Sequence, residues 1–113
     1  MNKIRVLVVE DSAVVRLLLQ HIIGRDSRLE VSAMAASAEE ALSMLKQMSP
    51  DVIAMDIGLP GMDGLEATRR IMSQEPIPIV VVAGSVESKE RSSTTMEALR
   101  AGALTVLEKP PNW

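Results

Sequence analysis

Five short apolar runs, separated by stretches of helical length, set the layout of the chain. "IRVLVV" (4–9) is β-branched and unbroken, the pattern of a strand buried on both faces. "SAVVRLLLQHII" (12–23) predicts a helix that opens on a Ser12 cap and stops at Gly24. "LEVSAMA" (29–35) alternates, as a strand with one exposed face near a sheet edge does. Ser37 and Glu40 have capping-box spacing for a helix over 38–48, closed by Pro50. "VIAM" (52–55) is a third strand, and 64–74 predicts a helix that Pro76 and Pro78 break. "IVVVA" (79–83) is the fourth strand, a helix follows near 92–101 up to Gly102, and "LTVLE" (104–108) is the fifth.

Alternating strand and helix predicts an α/β fold with a parallel sheet and helices on both faces. The order ends one helix short, so the chain is expected to be a single domain over 1–113, truncated before its last helix. The face left open should expose apolar side chains and invite self-association. Trp113 is the only aromatic residue, so aliphatic side chains, alanines and eight methionines must fill the core. Met34, Met44, Met55, Met72 and Met96 are read as packing residues.

Charge narrows the partners. The formal net charge is −3 with no basic run, which speaks against nucleic acid. Cysteine is absent, excluding disulfides and thiolate metal sites. Residues 1–9 are too short for a signal peptide, and no apolar run approaches the ~18 residues of a membrane helix. The expectation is a cytoplasmic protein without membrane insertion.

In parallel α/β sheets, functional groups gather at the carboxyl ends of the strands. Here strand 1 ends on Glu10-Asp11, strand 3 on Asp56 and strand 5 on Lys109. Taken singly, each has a plain structural reading. Glu10-Asp11 can cap the following helix, Lys109 can be a solvated charge, and Asp63-Gly64 is a turn into a helix. His21 lacks a nearby Cys, His or acid and reads as an ordinary helical residue, and Ser92, Ser93, Thr94 and Thr95 as a helix start and surface. Together, three acids and one lysine at one edge suit a hard divalent cation, Mg2+, with one carboxylate left free to attack phosphorus.

"VVEDS", "MDIGLPGMDG" and "EKP", in that order and spacing, resemble the CheY-like receiver domains of bacterial response regulators. The resemblance implies a flavodoxin-like, doubly wound five-stranded sheet of order 2-1-3-4-5, with the fifth helix missing here. It makes Asp56 the phosphoacceptor, Asp11 a direct Mg2+ ligand, Glu10 a ligand through water, and Gly58 a ligand through its backbone carbonyl. Lys109 would contact the phosphoryl group, and Lys109-Pro110 would be a cis peptide. "IRVLVVEDSAVVRLLLQHII", "PIPIVVVAGSV" and "EALRAGALTVLEKPP" are similar to the receiver that precedes the catalytic domain of chemotaxis protein-glutamate methylesterases. The implied partners are a histidine kinase as phosphodonor and an attached output, a methylesterase. The domain itself would be a regulatory phosphoacceptor in a two-component phosphorelay, not a turnover enzyme.

Two positions depart from the family pattern. Ala83 stands where a Thr or Ser is usual, and Val106 where a ring is usual, so both ends of the switching relay lack their side chains. Ser85, beside Gly84, is the candidate replacement hydroxyl. The rivals are an interaction-only pseudo-receiver, a receiver on another output such as a hybrid kinase, an aspartate-nucleophile phosphatase and an FMN-binding protein. Gly58 lacks the second acid a phosphatase needs, and the acidic "EDSAV" would repel a flavin phosphate.

Overall fold

In a computed structural model, which describes residues 2–84, 88–110 and 113, strands and helices alternate along the whole chain. They are β1 (Ile4–Val9), α1 (Ala13–Gly24), β2 (Leu29–Ala35), α2 (Ala38–Met44), β3 (Val52–Asp56), α3 (Gly64–Gln74), β4 (Ile79–Ala83), α4 (Ser88–Ala101) and β5 (Thr105–Glu108). All neighbouring strands pair in parallel, in the order β2-β1-β3-β4-β5.

That order fixes the layers. The chain moves one way from β1 to β2 and the opposite way on every later crossover. Right-handed crossovers therefore put α1 on one face and α2, α3 and α4 on the other. The contacts agree, with α1 lying against β1 and β2 while α3 touches both α2 and α4.

The main core lies beneath α2, α3 and α4. Leu7, Val9, Ile53, Met55, Ile79 and Val81 project from the sheet and are almost wholly buried. Burying one such side chain contributes about 1.5–3 kcal/mol. Ala38, Ala41, Ala67 and Ala98 meet them, so small residues on the helices let the layers close without aromatic rings. Val6 and Val8 alternate onto the other face, where Val15 is the one buried residue of α1. Val14, Leu17 and Ile22 of α1 stay at least half exposed and Leu18 more than a third.

Local signals in the sequence hold at several ends. The side chains of Ser12, Ser37 and Asp63 accept from the amides of Val15, Glu40 and Glu66. Gly102 ends α4 at φ 111°, a left-handed conformation that favours glycine. The edge strand β2 carries a bulge, where Val6 pairs with Val31 but Leu7 with Ala33. Ser32 is the extra residue, and its hydroxyl donates to the Val6 carbonyl.

Five expectations are corrected. The second helix ends at Met44, not 48, because the amides of Lys46 and Gln47 turn to the carbonyls of Ser43 and Met44, three residues back. The fourth starts at Ser88, ahead of the predicted 92, on a polar turn with no apolar period to reveal it. Gly24 lies inside α1, which Arg25 caps in an ordinary helical conformation. Met96 is half exposed, because α4 turns Ala98 and Ala101 toward the sheet instead. The Lys109–Pro110 peptide is trans, since no cis bond occurs among the described residues. Before proline the two isomers differ by only about 0.5–1 kcal/mol, so local packing decides between them.

Candidate functional site

Register brings the expected residues together. Val9 pairs with Met55, Asp56 with Val82 and Ala83 with Glu108, so β1, β3, β4 and β5 end side by side. Glu10 follows β1 directly, Asp56 is the last residue of β3, and Lys109 follows β5 with its amide on the Ala83 carbonyl at 2.7 Å.

Lys109 is the hub. Its ammonium lies 2.5 Å from Glu10 Oε1 and 3.2 Å from Asp56 Oδ1. Glu10 is 1% exposed and Asp56 6%, so two carboxylates are held almost out of water with a single cation between them. The second oxygen of Glu10 accepts from the Ser12 amide at 3.3 Å, and Asp56 Oδ1 accepts from the Gly58 amide at 3.3 Å. Burial alone would pull the Lys109 pKa down. The hydrogen bond to Glu10, then the charges of Asp56 and Glu10, outweigh it and hold the ammonium above its ordinary range.

Asp11 completes the group from the exposed side. Glu10, Asp11 and Asp56 each offer a carboxylate oxygen, and the three lie within 4.8 Å of one another. Three acids and one lysine leave a formal −2, which a divalent cation would cancel. An all-oxygen donor set of this kind fits a hard ion of the Mg2+ type.

The loop after β3 packs closely against the strand end that carries Asp56. A β-carbon on Gly64 would overlap the Asp56 carbonyl oxygen and lie 2.9 Å from Ile57 Cα. Only glycine lets the start of α3 press against the backbone of the acid-bearing strand end. The contact is clamped by the Gly64 amide on the Ile57 carbonyl at 3.2 Å and by the buried Thr68 hydroxyl on the Gly64 carbonyl at 2.7 Å. Gly61, at φ 72°, makes the turn, and the Met62 amide reaches Glu39 at 3.5 Å. Gly58 is different, since a β-carbon there meets no atom within 4 Å.

Ala83 is 7% exposed and Val106 half-buried against the core, so neither offers a polar atom to the cleft. Ser85 lies outside the described residues. Two participants escaped the sequence reading. The sequence reads Gly64 as part of a turn, although Asp-Gly opening a helix next to an acid-bearing loop is the available signal. Arg16, five residues past Asp11, puts its guanidinium on the Glu10 and Asp11 carbonyls at 2.8 and 3.1 Å.

A sequence model described as the response regulator receiver domain matches residues 6–112. The chain belongs to the response regulator receiver family. The receiver is 61% identical over 109 residues to a protein-glutamate methylesterase/protein-glutamine glutaminase of Paramagnetospirillum magneticum, covering 96% of this chain and 31% of that protein. A protein of the same description from Syntrophus aciditrophicus is 52% identical, with 95% and 30% covered. The receiver thus spans less than a third of these relatives. Its fold is similar to the response regulator domain of Thermotoga maritima CheB, with TM-score 0.87, 38% identity, and 96% and 80% of the two chains covered. Among the described residues no helix is long and apolar enough to cross a membrane.

Proposed function

We propose that this receiver takes a phosphoryl group on Asp56 from a histidine kinase in the cytoplasm and controls a chemotaxis methylesterase output. The observation that carries it is the juxtaposition at one sheet edge. Lys109 bridges Glu10 and Asp56, and three carboxylate oxygens lie within 4.8 Å. The high identity to the receiver segment of methylesterases supports the choice of output.

The chemistry follows from the positions. A carboxylate oxygen of Asp56 attacks phosphorus as the bond from phosphorus to the donor's imidazole nitrogen breaks, and that nitrogen keeps the electron pair. The product is an acyl phosphate on Asp56. Lys109, already 3.2 Å from Asp56 Oδ1, is placed to balance charge on the phosphoryl oxygens. Asp11 and Asp56 would hold Mg2+ directly, Gly58 through its carbonyl and Glu10 through water. Glu10 is the natural outer member because one of its oxygens is taken by Lys109 and the other by the Ser12 amide. When bound, the cation supplies electrostatic neutralisation of the transferring group. Ala83 and Val106 would leave the conformational response small, because Ala83 at the end of β4 carries no side-chain donor for the new phosphoryl group.

Intact-mass spectrometry after incubation with a small acyl phosphate tests the reading. One added phosphoryl group is expected in MgCl2 and none in EDTA, and Asp56→Asn should abolish it. Equal labelling with and without Mg2+ would refute the cation's part.

A further inference from the structure

The Asp11 carboxylate has an unusual support. It is solvent-exposed, and among the described residues no side chain or amide bonds to it. With no partner of its own, the side chain takes its starting point and Cα–Cβ direction from the backbone of the β1–α1 connection. Besides the helix itself and the Glu10 amide's bond to the Ala35 carbonyl at 3.0 Å, that connection has two further ties. One is the Ser12 amide on the Glu10 carboxylate at 3.3 Å. The other is Arg16, whose Nη1 donates to the carbonyls of both Glu10 and Asp11 at 2.8 and 3.1 Å.

This second tie is not what charge pairing would produce. Three carboxylates lie at the edge, yet Arg16 makes no ion pair among the described residues and turns Nη1 to two carbonyls. A guanidinium hydrogen bond to a carbonyl is charge-assisted and geometrically restrictive. It holds the peptides on both sides of Asp11 from the α1 side, while Lys109 holds the Glu10 carboxylate from the β5 side. The acid pair is held at both ends.

We propose that Arg16 is a positioning residue for divalent-cation binding, acting through the Glu10 and Asp11 carbonyls to aim the Asp11 carboxylate. This rests on the reading of the acid group as a Mg2+ site. It predicts a sign opposite to simple electrostatics. As a charge alone, Arg16 repels the incoming cation, and its removal should tighten binding. As a positioning group, its removal should weaken binding, as the loss of partners that orient metal ligands does.

Isothermal titration of the whole chain with MgCl2, on protein shown folded by circular dichroism, separates the two. Arg16→Met should weaken Mg2+ by about tenfold. Arg16→Lys, which keeps the charge and a donor on a stem one bond shorter, should weaken it less but measurably. Affinity for Arg16→Met equal to or tighter than wild type overturns the proposal. If Arg16→Met fails to fold, unchanged affinity in Arg16→Lys overturns it instead. Asp11→Ala separates the underlying reading: a wild-type chain that binds no Mg2+, or an Asp11→Ala chain that binds like wild type, defeats the metal site itself and the role of Arg16 with it.

Discussion

Gly64→Ala sets two rules against each other. Alanine is the better helix former, and at a helical position it gains up to about 1 kcal/mol over glycine. Gly64 is the first residue of α3, so propensity alone predicts a stabilised protein. The structure predicts the reverse. The new methyl would overlap the Asp56 carbonyl oxygen and lie 2.9 Å from Ile57 Cα and 3.0 Å from the Asp56 carbonyl carbon. These are backbone atoms of a paired strand end, and no flexible side chain is there to give way. Overpacking costs about 1–3 kcal/mol, and a backbone obstacle places this case at the upper end. Offsetting the propensity gain leaves a net loss of about 2 kcal/mol. In a domain of this size that lowers the melting temperature by roughly 10 °C. Because the atoms displaced belong to Asp56, the stabilisation by MgCl2 should shrink as well. Gly58→Ala is the matched control, for its β-carbon meets nothing within 4 Å, and it should change stability by less than about 1 kcal/mol. Thermal and urea unfolding of both variants, with and without MgCl2, give the answer. A Gly64→Ala protein that melts at or above wild type, or a Gly58→Ala protein that loses as much, would refute the reasoning.

The other expectations concern Lys109 and Ala83. Lys109→Met leaves Glu10, 1% exposed, without its cation, and should cost about 3 kcal/mol in metal-free urea unfolding at neutral pH. MgCl2 should recover part of that loss, and equal stability of the two proteins in EDTA would contradict the pairing. The Lys109 pKa is raised on folding, so the folded chain holds this proton more tightly than the unfolded one. Its contribution is complete below the ordinary lysine value of about 10.4 and disappears as pH rises through the folded value. Wild type should therefore lose stability above about pH 10 more steeply than Lys109→Met in pH-dependent unfolding. Ala83→Thr places a hydroxyl between the ends of β3 and β5, where a bond to a phosphoryl oxygen is worth about 1.5–3 kcal/mol. Amide chemical shifts along β4 and β5 on adding a phosphoryl mimic should be larger in Ala83→Thr than in wild type. Equal shifts would mean the missing hydroxyl does not limit the response.

Burial made most of the fold legible. β1, β3 and β4 are buried strongly enough that their sequences are almost uniformly apolar, and no helix could share that pattern at such lengths. Ser12, Ser37 and Gly102 announced helix ends through chemistry local to a few residues. What failed had no local signature. The start of α4 is polar, and the end of α2 is decided by competing backbone bonds. Met96 carries an apolar side chain that stays half exposed, which composition cannot distinguish from one that is buried. At the site, topology alone placed Glu10, Asp11, Asp56 and Lys109 on one edge. It did not say that Lys109 would sit closer to Glu10 than to Asp56, nor that Gly64 serves a close approach and not merely a turn. Those facts depend on where β5 and α3 meet the strand ends in space.

The central claim is that Asp56 is the group phosphorylated, by virtue of the acids and lysine around it. Borohydride reduces an aspartyl phosphate to homoserine, so the labelled position can be read by peptide mass spectrometry after treatment with a small acyl phosphate and MgCl2. Homoserine at position 56 alone, absent in EDTA and much reduced in Lys109→Met, is the predicted result. Labelling at Asp11, Asp63 or Glu10 with Asp56 unmodified, or labelling of Asp56 that ignores both Mg2+ and Lys109, would contradict the account.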